Sequence, residues 1–220
     1  YEPKDTSDDE KSQEDDPKGT MRKALKRFIT YDALSEFAFH VSGPLMMVYW
    51  LRDLNFDYIE LAILINVSQL AGLFSLRYWG AKIDEHGTYS TIRLSSFTIA
   101  ILPLLWVGLF YVPGELILPG AIIIASMASL MFSGRALALD NRLYEHMRSK
   151  NMIKVTSNRI VYRGLSIFLG GLVGGIITRD ELGLSELQFL GTTLHAVMIF
   201  STLLRLIVWL AFLRSKKAQI

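Results

Sequence analysis

The chain has 220 residues, of which 51% are hydrophobic and 20% are charged, and its formal net charge is +2. It contains no cysteine, which excludes a disulfide framework, a thiolate metal site and a cysteine nucleophile. The charges avoid six continuous apolar stretches, and a helix of about 20 such residues crosses the ~30 Å hydrocarbon core of a bilayer. We therefore predict an all-α integral membrane protein, because lipid offers no hydrogen-bond partners to backbone N–H and C=O groups, and a helix pairs these groups internally.

The first 20 residues differ from the rest of the chain. They carry eight acidic and three basic residues and almost no apolar side chains. Such a segment cannot bury enough surface to fold, so we predict a disordered acidic tail or linker over residues 1–20. An acidic docking site for a partner is the alternative. The chain opens with Tyr1 instead of Met, which predicts a fragment or a processed chain.

Residues 21–220 are predicted to form one bundle of six transmembrane helices. An even number of spans places both ends on the same side of the membrane. That side has fifteen basic residues in the termini and the longer loops, Arg159 among them, against two in the opposite loops. The positive-inside rule then predicts an inner (plasma) membrane protein with both termini in the cytoplasm. The spans lie near residues 29–51, 58–79, 91–112, 116–139, 159–178 and 187–213.

The first span carries three ionisable residues on one helical face. Asp32, Glu36 and His40 recur every fourth residue, and Asp32 is predicted to lie near the interface. A deeper carboxylate must be paired or hydrated, so Glu36 is expected to face a cavity. Histidine titrates near neutral pH, and Glu36 with His40 is therefore a candidate proton-coupling site. The alternative is a structural cluster at the helix end. Pro44 is predicted to kink this span.

The second span carries Asn66 and Gln69 near its middle, three residues apart and so on one face. Amides at this depth either hydrogen-bond between helices or contact a substrate, and both interpretations stay open.

The segment after the second span contains a glycine–aspartate–glycine pattern. Gly80, Asp84 and Gly87 have the spacing of the cytoplasmic loop signature of the major facilitator superfamily, which this chain resembles. The glycines permit a tight turn and a close approach of helices, and Asp84 can cap a helix start or pair with a base. The basic positions of the signature hold Glu85, Thr88 and Tyr89 instead.

The resemblance implies an architecture and a mechanism. Members of that family have twelve helices in two six-helix halves, with substrate bound between them near the midplane. This chain resembles the carboxy-terminal half, and residues 1–20 resemble the linker between halves. The second half would belong to the same full-length chain, to a partner or to a second copy. Asp84 would help to latch one conformation; the alternative is an ordinary polar turn.

Arg135 lies in or just after the fourth span. If the span ends at Gly134, the arginine extends to the headgroups. If the helix continues, Arg135 is buried and requires an anion, for which Glu36, Asp140 and an acidic substrate are candidates.

The last two spans carry small residues and further arginines. Gly170/Gly174 and Gly171/Gly175 have the spacing that lets helix backbones approach closely. Arg205 is predicted to reach the interface or to pair with a backbone carbonyl.

Together these patterns predict a secondary active transporter that moves a small solute by alternating access and is coupled to protons. Asn66, Gln69 and Arg135 are candidate substrate contacts beside Glu36 and His40. The alternative function is a non-transporting membrane interaction protein that retains the bundle. No metalloprotease, hydrolase or nucleotide-binding motif is present in the sequence, so neither catalysis nor a metal or cofactor is predicted. The basic residues flank the spans, so nucleic-acid binding is not predicted either.

Overall fold

A computed structural model describes residues 17–145, 152–178 and 192–213. Within these ranges the chain is helical and contains no strand, which confirms the prediction of an all-α protein. Of the predicted tail, residues 1–16 lie outside the described residues, and residues 17–20 belong to the first helix. The elements are α1 Pro17–Ser42, α2 Leu45–Val48, a π-helical turn (π1) Tyr49–Asp53, α3 Tyr58–His86, α4 Thr88–Leu109, α5 Gly114–Glu145, α6 Met152–Ile177 and α7 Thr193–Leu213.

Five of the described helices, α3 to α7, are long and apolar enough to cross a membrane. They correspond to the second to sixth predicted spans and identify a multi-pass membrane protein. The first predicted span, 29–51, is divided among α1, α2 and π1. It lacks the uniformly apolar character of the others because α1 contains Asp32 and Glu36 as well as basic residues, and the count of six spans stays a prediction.

Pro44 interrupts the first span, as predicted. Helix α1 ends at Ser42, and the next turn begins at Leu45. Proline has no N–H to donate, so the usual helical bond is missing at this point. The chain instead turns through Gly43, whose N–H donates to Phe39 O over 3.0 Å and whose carbonyl accepts from Met46 N over 3.2 Å.

Helix α3 begins at a capping box. The Asp57 carboxylate accepts from the N–H groups of Ile59 and Glu60 over 2.8 and 2.7 Å. The Glu60 carboxylate accepts in return from Asp57 N over 2.9 Å. These bonds satisfy N–H groups that a helix start otherwise leaves free, and they fix where the chain turns into α3.

The connection between α3 and α4 is a single residue, Gly87. This corrects the prediction of a longer basic loop, because Arg77 and Lys82 lie on α3 and Arg93 lies on α4. The helices extend beyond their apolar stretches, since nothing in these polar sequences breaks a helix before Gly87. That residue has φ +82° and ψ 159°, a conformation that side chains with a Cβ rarely adopt.

We expect Gly87→Ala to lower the free energy of unfolding by about 1–3 kcal/mol, because alanine must occupy that backbone conformation. Gly80→Ala is the matched control in the same motif: Gly80 lies inside α3, and a Cβ there meets nothing within 4 Å. The control is expected to be neutral or to stabilise by up to about 1 kcal/mol. Unfolding in detergent micelles measures both values, and equal effects would contradict the assignment.

The helices pack in a pattern with internal symmetry. Helix α1 packs against α6 and α7, α5 packs against α3 and α4, and α4 packs against α7. Exchanging the triplet α1, α3, α4 with the triplet α5, α6, α7 in order turns each of these interfaces into another member of the same set. Helices α3 and α4 also pack against each other, whereas the corresponding pair, α6 and α7, has no comparable interface among the described residues. The pattern of helix contacts is therefore approximately symmetric between the two three-helix units.

Glycines make close contacts at two helix interfaces, α1–α6 and α3–α5. An added Cβ at Gly170 would lie 2.5 Å from the backbone oxygen of Phe37, and one at Gly174 would overlap the oxygen of Val41. This confirms the predicted close approach for Gly170/Gly174 but not for Gly171/Gly175, where a Cβ has room. Between α3 and α5, Gly72 is in tight contact with Ser129, and Gly134 with the ring of Trp79.

Candidate functional site

Two acidic residues on α1 are buried inside the bundle. Asp32 is 1% exposed, and Glu36, one turn further along, is also buried. The sequence predicted Asp32 near the interface, whereas the structure buries it among three arginines. A buried carboxylate is stable only when cations or hydrogen-bond donors compensate it.

Helix α6 supplies two of those cations at matching spacing. Arg159 Nε donates to Asp32 Oδ2 over 2.7 Å, and Arg159 Nη1 donates to Asp140 Oδ1 over 2.8 Å. One turn on, Arg163 Nη2 donates to Glu36 Oε1 over 3.1 Å. Asp32 and Glu36 on α1 thus face Arg159 and Arg163 on α6, each pair four residues apart. Further along the same two helices lie the close contacts of Gly170 and Gly174 with α1.

Helix α5 supplies the third cation. It continues to Glu145, so Arg135 lies within the helix and is buried, as the second interpretation of the sequence required. Arg135 Nη1 donates to Glu36 Oε1 over 3.3 Å, and Nη2 lies 3.5 Å from Asp32 Oδ1. Its guanidinium also lies 4.7 Å from the centroid of the Phe39 ring. Of the predicted anions, Glu36 is the direct partner.

The cluster contains equal numbers of positive and negative side chains, and these side chains differ in their exposure to solvent. Its three arginines face three carboxylates, of which Asp32 and Glu36 are buried while the Asp140 side chain is 56% exposed. The Arg163 side chain is 40% exposed, so the cluster is dry on one side and open on the other. Glu36 Oε1 accepts from two arginines, and a proton on this carboxyl would remove the negative charge that holds both of them.

His40 lies on the same face of α1 as Glu36, as its spacing predicted, and at a partly exposed end of the cluster. Its Nδ1 is 2.9 Å from the backbone oxygen of Glu36 and 3.7 Å from Glu36 Oε2, and its side chain is 32% exposed. The structure therefore brings Glu36, His40 and Arg135 together. The hydrogen bond of His40 Nδ1 is to the Glu36 backbone carbonyl, and the carboxylate lies beyond direct hydrogen-bond distance of this nitrogen.

Asn66 and Gln69 lie apart from this cluster. Both are exposed on α3, and Asn66 Nδ2 donates to the carbonyl of Ala62 in its own helix over 2.7 Å. Among the contacts of the described residues neither amide bonds to another helix. Interhelical bonding and a contact with substrate both stay predictions for these two residues.

The glycine–aspartate–glycine motif is helical until its last residue. Asp84 lies exposed in the last turn of α3, so it does not cap a helix start, and no ion pair of the described residues involves it. Gly87 makes the tight turn that the pattern predicts, while Gly80 contributes no close contact. The latch role of Asp84 stays a prediction.

Arg205 on α7 pairs with backbone carbonyls, as predicted. It donates from Nη1 to Ile99 O over 3.0 Å and from Nη2 to Phe39 O over 3.3 Å. His195, near the other end of α7, is buried with its Nε2 3.4 Å from the hydroxyl of Tyr49.

Sequence reasoning missed Arg159, which was counted among the cytoplasmic loop residues. The structure places it in α6, buried against Asp32. The available signal was the spacing: Arg159 and Arg163 repeat the interval of Asp32 and Glu36, with opposite charge. In the described part of the chain, no group of three or more histidine or acidic side chains is placed to hold a metal ion.

Comparisons with protein-family models, with curated proteins and with solved structures gave no match to this chain.

Proposed function

We propose that this chain forms a six-helix half of a secondary active transporter that moves a small solute by alternating access, coupled to a proton at Glu36. The observation that carries the proposal is the buried cluster of Asp32, Glu36, Arg135, Arg159 and Arg163. It joins three helices of the bundle, α1, α5 and α6. Ionisable residues at membrane depth are costly, and they mark proton and substrate pathways.

Protonation of Glu36 would alter the contacts among three helices. Glu36 Oε1 holds Arg135 and Arg163 at once, and His40 approaches the other carboxylate oxygen from the open side. Protonation of Glu36 weakens both ion pairs, so α1 is held less tightly to α5 and α6. A proton therefore changes the relative stability of two helix arrangements, which is what coupling to a conformational change requires.

The internal symmetry of the packing supports the same function. If the segment α1–π1 is a span, each three-helix unit crosses the membrane three times, which would place the two units in opposite orientations. Inverted repeats of this kind are typical of secondary transporters, in which alternating access arises by movement of one unit against another.

The outer surfaces suit a bilayer and a second half. Large apolar side chains are exposed on α3 and α6, including Leu73, Phe74, Val161 and Phe168. We propose that lipid covers part of this surface and that a second six-helix half, in the same full-length chain or in a partner copy, covers the rest. Both termini would lie in the cytoplasm of a plasma membrane, as the basic residues indicate.

The test uses the complete natural chain that contains these residues, reconstituted in liposomes that enclose a pH-sensitive dye. Solutes are added outside one class at a time, and internal pH is followed. A transported solute is expected to carry protons, and Glu36→Gln is expected to abolish this proton movement because the amide cannot exchange a proton.

Glu115→Gln is the matched control. This glutamate lies exposed in the first turn of α5, away from the cluster, and its replacement is expected to leave proton movement unchanged. Proton movement that persists unchanged in Glu36→Gln would refute the coupling role.

The alternative, a membrane interaction protein without transport, is favoured by one observation: Asp84 has no ion-pair partner among the described residues to serve as a latch. Under this alternative no solute moves with the wild-type chain, while the bundle still binds a membrane partner.

A further inference from the structure

Arg205 is a buried cation without a carboxylate. The residue is 8% exposed, and no acidic group of the described chain lies within 4 Å of its guanidinium. Its acceptors are two backbone carbonyls and the hydroxyl of Ser42, which Nη2 reaches over 3.0 Å. Neutral acceptors satisfy N–H groups but leave the charge uncompensated, and an uncompensated buried charge is costly.

The neighbouring groups increase this excess of positive charge. Arg135 and Arg205 lie over the same ring, 4.7 and 5.0 Å from the centroid of Phe39. Arg135 already shares Asp32 and Glu36 with two other arginines. Counting only buried groups, three arginines (Arg135, Arg159 and Arg205) face two carboxylates, so the described interior carries one unmatched positive charge.

A small pocket lies beside Arg205 between α1, α4 and α7. Tyr31, Ser35 and Ser96 line it together with Arg205, and it has room for about one water-sized occupant. Arg205 Nε, a buried donor, has no partner among the described residues. The Ser35 hydroxyl likewise makes no hydrogen bond to a described residue. The hydroxyls of Tyr31 and Ser96 lie 2.7 Å apart, and because their contact uses only one of the two hydroxyl hydrogens, the other stays available as a donor.

We propose that this pocket binds a small monovalent anion such as chloride. Chloride is slightly larger than a water molecule, so the lining side chains would move apart a little to admit it. The guanidinium of Arg205 would compensate its charge, and the hydroxyls of Ser35 and of the Tyr31–Ser96 pair would donate hydrogen bonds. The site lies between α1, α4 and α7 and is distinct from the Glu36 cluster between α1, α5 and α6. Anion binding at this site requires no transport activity, so the proposal can be tested independently of the function proposed above.

The experiment measures the thermal unfolding midpoint of the purified chain in detergent. Sodium chloride replaces sodium gluconate at constant ionic strength, because gluconate is too large for the pocket. We expect the midpoint to rise by about 5 °C at saturating chloride, since a ligand that binds only the folded state stabilises it. Arg205→Gln is expected to abolish the rise. Arg52→Gln removes an exposed arginine far from the pocket and is expected to retain it.

Ser35→Ala keeps the test decisive if Arg205→Gln does not fold. Loss of one donor is expected to raise the chloride concentration at half effect about fivefold. Absence of any chloride effect in the wild type, a full effect in folded Arg205→Gln, or an unchanged half-effect concentration in Ser35→Ala would each overturn the proposal.

Discussion

Replacement of Asp32 by asparagine is expected to lower the free energy of unfolding by about 3–5 kcal/mol, which is the cost of leaving buried charges without their partner. Asp32 is the common centre of the cluster: it bonds Arg159 over 2.7 Å and lies 3.5 and 3.8 Å from Arg135 and Arg163. Asparagine preserves the shape of the side chain but removes its charge. Denaturant titration in micelles, followed by helical circular dichroism, measures the loss.

Asp140→Asn is the matched control for this prediction. Asp140 contacts the same arginine over 2.8 Å, but its side chain is 56% exposed, so water compensates the loss and the expected cost is at most about 1 kcal/mol. The double variant Asp32→Asn/Arg159→Gln is expected to recover part of the loss, because it removes a cation together with its anion. Equal costs for Asp32→Asn and Asp140→Asn would contradict the central position of Asp32.

The second large effect is expected at the interface of α1 and α6. Gly174→Ala should cost about 3 kcal/mol, the upper end for an overpacked site, because the new methyl group would overlap the backbone oxygen of Val41. A backbone atom cannot rotate away as a side chain can, so the two helices must separate. The separation also lengthens the ion pairs of Arg159 and Arg163 with α1.

Gly175→Ala tests whether steric overlap is the cause. Gly175 is the next residue on α6, and a Cβ there meets nothing within 4 Å. Its replacement is expected to stabilise the helix by up to about 1 kcal/mol, because alanine is the better helix former. If both variants destabilise the protein equally, glycine flexibility and not close packing determines the result. Thermal unfolding of both variants in the same detergent provides the comparison.

The apolar spans were predictable from sequence because lipid imposes one simple requirement, a continuous apolar helix. Helices α3 to α7 follow the predicted stretches, and the break at Pro44 follows from its missing N–H. The helix ends were less predictable. Polar sequences such as 80–86 continue a helix outside the membrane as readily as they form a loop, and hydropathy does not distinguish the two.

The cluster was predictable in part. The spacing of Glu36 and His40 placed them on one face, and the surroundings of Arg135 required an anion, which the structure supplies as Glu36. The pairing of α1 with α6 joins residues 127 positions apart in the sequence. A single amino-acid sequence gives little information about such distant helix contacts. Arg159 was therefore interpreted as a topological signal, although it pairs with Asp32.

Phe39 links the two charged regions of the interior. Arg135, which belongs to the carboxylate cluster, and Arg205, which belongs to the hydroxyl-lined pocket, both lie near its ring, 4.7 and 5.0 Å from the centroid. Two like charges this close to one ring repel each other, so a change in the charge around one arginine also acts on the other. Proton occupancy at Glu36 and anion occupancy beside Arg205 are therefore coupled quantities, and titrating either one is expected to report on both.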